Sequence, residues 1–75
     1  MQDNVQKSSD KLKSEDPSVR GAAIDVVHMC DALWRKKEYG LVTLLAAYAL
    51  RHDVLSADEV NRFANVGWDP NIPSA

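Results

Sequence analysis

The chain reads as all-α, and three observations predict it. Apolar residues recur at three- and four-residue spacing from Val19 to Trp34, the period of a helix face. The stretch Ser56-Ala57-Asp58-Glu59 has the S-x-x-E pattern of a capping box. Pro17, Gly40 and Gly67 stand where helices start or stop. The expected architecture is a flexible N-terminal arm, a helical hairpin, a short third helix and a tail, assembled into a homo-oligomeric bundle.

Residues 1–15 form the expected arm. After Met1, Val5 and Leu12 are its only aliphatic side chains, too little apolar surface to offset the entropy of ordering. A partner could order it, and a short helix over 5–13 can form there.

A single helical domain spans residues 16–69. The first helix is predicted over 17–38. Asp16 suits its N-cap and Pro17 its first position, where the missing N–H costs nothing. Arg35, Lys36 and Lys37 complement the dipole in its last turn, and Gly40 stands near the C-terminal cap. Gly21 lies inside, costs about 1 kcal/mol against Ala, and offers room for another backbone. At 100° per residue, nine residues from Val19 to Trp34 fill an apolar arc of about 160°, wider than the usual stripe of a surface helix. This helix should touch neighbours on more than one side.

The second helix, over 41–52, is apolar all round. Between Leu41 and Leu50 the only polar groups are Thr43 and the Tyr48 hydroxyl. Such a helix is central or lies in an oligomer seam. The short connection before it implies an antiparallel hairpin with the first helix.

The third helix, over 57–66, carries the best local signal. Ser56 and Glu59 form the capping box, and Leu55 and Val60 have the spacing of a hydrophobic staple. Gly67 suits the C′ position, letting Trp68 pack back on Phe63. The tail, 70–75, cannot continue a helix because of Pro70 and Pro73.

At 75 residues the core is marginal by itself. Cys30 is the sole cysteine, which excludes an intrachain disulfide and a Cys-rich zinc site. A partner subunit is the remaining source of stability, with a dimer favoured. Its expected interface is Val26, Cys30, Leu33, Leu41, Leu44, Leu45 and Tyr48. The apolar run at 41–50 is half the length a membrane helix needs. The N-terminus has no apolar h-region, and one unpaired cysteine fits a reducing cytoplasm.

Candidate chemistry is weak throughout. Asp25, His28, Asp31 and Arg35 share one stripe of the first helix. Asp-x-x-His could bind a metal, but the second helix offers no further carboxylate, and a solvated ladder of ion pairs explains the spacing better. His52 could be a base oriented by Asp53, but sequence neighbours at a helix end point apart. Cys30 sits among apolar residues and reads as a core thiol. No phosphate loop, nucleophile elbow or zinc-protease motif appears. No catalytic residue, metal or cofactor is expected.

Trp34, Arg35, Lys36, Lys37 and Tyr39 are the expected partner-binding residues, since aromatics and Arg dominate binding hot spots. The function favoured is a non-enzymatic interaction protein that binds a larger macromolecule and inhibits or adapts it, in the manner of a phage or mobile-element accessory protein. One alternative is a nucleic-acid-binding regulator using Arg35–Lys37 and Arg20. The net charge of −2, and Asp58 and Glu59 at the head of the presumed recognition helix, count against it. Another is an oligomer that sequesters a small ligand.

Overall fold

The computed structural model describes residues 10–68. The first nine residues of the expected arm and the expected tail lie outside them. Among the described residues the fold is all-helical, with no strand: a 3₁₀ turn at Lys11–Lys13, then α1 (Pro17–Arg35), α2 (Tyr39–Arg51) and α3 (Ala57–Val66).

Local chemistry sets each start. The Asp16 side chain accepts the Ser18 N–H at 2.9 Å, with Pro17 at N1. At α3 the capping box closes in both directions. Ser56 Oγ accepts the Glu59 N–H at 3.0 Å, and Glu59 Oε1 accepts the Ser56 N–H at 2.8 Å.

The ends depart from the sequence expectation. Helix α1 stops at Arg35 rather than at 38, because Lys37 turns left-handed (φ 63°). The Lys37 N–H then bonds to Trp34 O and the Glu38 N–H to Leu33 O, both at 2.9 Å, which is a Schellman closure. Gly40 does not cap α1 but lies in the first turn of α2. Helix α2 closes the same way on Asp53 (φ 60°), with the Val54 N–H bonded to Ala49 O at 2.8 Å. Nothing in a lysine advertises this, whereas an aspartate tolerates the left-handed region. The backbone strain there, roughly 1 kcal/mol per residue, is offset by the satisfied carbonyls. Gly67 caps α3 at φ 102°, ψ 164°, a region open only to glycine. Trp68 then stacks on Phe63 as expected, with centroids 5.1 Å apart and planes at 12°.

The core collects Ala23, Val26, Val27 and Cys30 from α1, Val42, Ala46 and Ala49 from α2, and Leu55, Phe63 and Trp68 from the last third. Leu12, Leu33, Leu45, Val54 and Val60 pack against it. Gly21 has nothing within 4 Å of where a Cβ would stand, so among the described residues no other segment packs against it.

The stretch expected to be a free arm up to residue 15 is anchored from Asp10 onward. The Lys11 and Leu12 N–H groups donate to Glu59 Oε1 and Oε2 at 3.0 and 2.8 Å. Lys11 Nζ meets Asp53 at 3.3 Å, and Ser56 Oγ donates to Asp10 at 3.3 Å. Arg20 reaches back to Ser14 O at 2.6 Å. Composition predicts no such order, because polar anchoring leaves no apolar trace in a sequence.

Candidate interaction surface

Helix α2 decides what this molecule can present. Its buried residues are Val42, Ala46 and Ala49, which share one narrow stripe. Leu45 leans on the core, while four large apolar side chains face outward: Leu44 is 67% exposed and Tyr48 54%, and Leu41 and Leu50 are exposed too. An exposed apolar surface of this kind marks an interaction site more often than not.

Two surfaces result, adjoining at Ala47. The first is an open groove of about 650 Å³ between α2 and α3. Val42, Ala46, Ala47 and Leu50 line it from α2, Val60 and Ala64 from α3, and Trp68 from beyond the cap. Its other end is closed by Trp34 and Tyr39, one on each side of the α1–α2 turn. Their rings meet edge to face, 5.0 Å apart at 71°, the geometry the ring quadrupoles favour. The Schellman turn at Lys37 makes that meeting possible by folding α2 back directly after α1. The lining contains no Asp, Glu, Lys, Arg or His. The Thr43 hydroxyl, also in the lining, is already spent on Tyr39 O at 3.0 Å.

The second surface is on the side of α2 away from the core. Leu44, Ala47, Tyr48, Arg51 and His52 surround a notch of about 290 Å³. The His52 ring leans on Tyr48, with centroids 4.4 Å apart.

The predicted residues therefore part company. Trp34 and Tyr39 come together at the groove. Lys36 and Lys37 stand exposed in the turn beside them. Arg35 instead turns back along α1, where its Nε donates to both oxygens of Asp31 at 3.1 Å. Of the expected interface residues, Leu41, Leu44 and Tyr48 are exposed, while Leu33 and Leu45 lean on the core. Val26 and Cys30 reach no surface at all, at 6% and 0% exposure. They are consumed by the chain's own core, because α1 turns its 23-26-27-30 stripe directly onto α2. The sequence reading did not find Val60, Ala64 and Trp68 as groove residues. Their periodicity signals a buried face, and it cannot tell a filled seam from a splayed one.

The other candidates are placed as follows. The Cys30 thiol is pushed up to about 11 by burial, so it remains protonated and a poor nucleophile. Among the described residues no group of three or more His, Cys, Asp or Glu is placed to hold a metal ion. Asp53 pairs with Lys11 and His52 with Tyr48, so those two neighbours do not work on each other. No helix among the described residues is long and apolar enough to cross a membrane. The chain matches no known family model, curated protein or solved structure.

Proposed function

We propose that this chain is a small non-enzymatic interaction protein, which binds a larger macromolecule through the Trp34–Tyr39 end of its groove and inhibits or adapts it. Its helical hairpin also takes part in a homo-oligomeric bundle. One observation carries the reading: α2 buries three residues in its own core and leaves Leu41, Leu44, Tyr48 and Leu50 exposed. A chain this small stabilises itself by having such surface covered. The groove suits an apolar helix laid along it, in the manner of helix-in-groove recognition, with Lys36 and Lys37 beside one end for an acidic flank.

The test is quantitative capture from the source cell, with the Trp34→Ala/Tyr39→Ala double variant and an Asp25→Ala control on the opposite side of α1. The expected result is a stoichiometric partner retained by wild type and the control but lost by the double variant. Equal retention by all three, or no partner, overturns the reading.

A groove of about 650 Å³ is also in the size range of small-ligand sites, which favours ligand sequestration as a second reading. Both tryptophans line it, so an apolar ligand would change the intrinsic fluorescence directly.

A further inference from the structure

We infer that the outer face of α2 pairs with the same face of a second copy, antiparallel across a two-fold axis level with Ala46 along the helix. This rests on reading that face as an interaction surface, and it names the occupant.

The shape of the notch selects that partner. Leu44, Ala47, Tyr48 and Arg51 are its walls, with His52 at its end. Those four positions are i, i+3, i+4 and i+7, the four that form the hole for a knob in coiled-coil packing. Ala47 makes the hole deep, because it has almost no side chain. The nearest knob is Leu44 itself, the most exposed large apolar residue in the described chain at 67%. Knob and hole thus lie on one surface, which is what an isologous two-fold contact requires.

The hole is centred between Ala47 and Tyr48, about one turn beyond Leu44. A parallel, in-register pair sets Leu44 against the second copy's Leu44, at the rim of the hole. An antiparallel pair about Ala46 sets each Leu44 into the other copy's hole. It also sets Leu41 opposite the second copy's Arg51.

Charge agrees with that register. From Tyr39 to Leu50 there is no ionisable side chain other than the two tyrosines, and Glu38 and Arg51 bracket the stretch. Both are exposed, and Glu38 makes no side-chain cap. Along the helix axis, antiparallel pairing brings the levels of Glu38 and the second copy's Arg51 within one turn of each other, twice by symmetry. It also opposes the two helix dipoles. Parallel pairing would stack Glu38 on Glu38 and Arg51 on Arg51.

Sedimentation equilibrium tests this on wild type, Leu44→Asp, Glu38→Arg, Arg51→Glu and the Glu38→Arg/Arg51→Glu double variant, with circular dichroism confirming the fold of each. Wild type should dimerise. Leu44→Asp, at a solvent-exposed position, should stay folded and weaken the dimer more than tenfold, since a charge replaces the buried knob. Each single reversal should weaken it about fivefold, and the double reversal should restore it. A wild type that stays monomeric at millimolar concentration overturns the proposal. If the dimer survives Leu44→Asp, the outer face is not the seam and the reading beneath the proposal fails too. If Leu44→Asp dissociates it but the double reversal restores nothing, the face stands and the antiparallel register fails.

Discussion

Glu59 Oε2 accepts the Leu12 backbone N–H at 2.8 Å, although the two residues lie 47 apart in sequence. The same carboxylate accepts the Lys11 and Ser56 N–H groups through Oε1, and its side chain is fully buried. A capping residue that would ordinarily serve one helix start thus ties the beginning of the described chain to its last helix. Buried charge is tolerated there because backbone donors meet both oxygens.

Glu59→Gln keeps one carbonyl oxygen but turns an amide NH₂ toward a backbone N–H. The expected loss is about 1–3 kcal/mol in urea unfolding. Glu59→Ala, which leaves one buried and two part-buried N–H groups unmet, should cost more. If the alanine variant is no worse than the glutamine, the carboxylate is not the anchor described.

Glycines 21 and 67 should respond with opposite signs. Nothing lies within 4 Å of a Cβ at either, so backbone conformation alone decides. Gly21→Ala lies inside α1 and should stabilise by about 1 kcal/mol. Gly67→Ala must hold φ 102° and should cost about 1–3 kcal/mol, loosening Trp68 from Phe63. Tryptophan fluorescence during unfolding reads both.

The two left-handed helix ends differ in a measurable way. Lys37→Gly relieves strain and should stabilise by about 0.5–1 kcal/mol. Asp53→Gly relieves less strain, since aspartate tolerates the left-handed region, and it loses the Lys11 pair at 3.3 Å, so its net gain should be smaller. Thermal melts of the two variants decide.

What was legible in the sequence follows from the range of each interaction. Asp16, Pro17, Ser56, Glu59 and the Trp68–Phe63 stack act within a few residues, and their patterns read directly. The end of α1 at Lys37 is not legible because the backbone imposes a left-handed conformation on a side chain that does not favour it, whereas α2 ends within a residue of the expected His52. The docking of Lys11 and Leu12 on Glu59 was missed because main-chain donors carry no sequence signature. Val26 and Cys30 were assigned to an interface because helical periodicity gives an apolar face but not which neighbour covers it.

The Cys30 thiol should report core integrity. Burial raises it from 9.0 to about 11, so the folded state holds its proton more tightly than the unfolded chain does. This contribution to stability is complete below pH 9 and is lost as pH rises through about 11. At pH 8 a thiol reagent should label Cys30 at the rate of unfolding, and at once in denaturant. Fast labelling of the native protein would contradict the packing of α1 on α2.

The central claim is that α2 carries two distinct apolar faces, a groove at Trp34 and Tyr39 and a seam at Leu44 and Tyr48. An NMR dilution series from millimolar to low micromolar tests it most directly. The expected result is concentration-dependent shifts at Leu41, Leu44 and Tyr48, with Trp34, Tyr39 and Ala64 unmoved. Shifts centred on the groove, or none at any concentration, would contradict it.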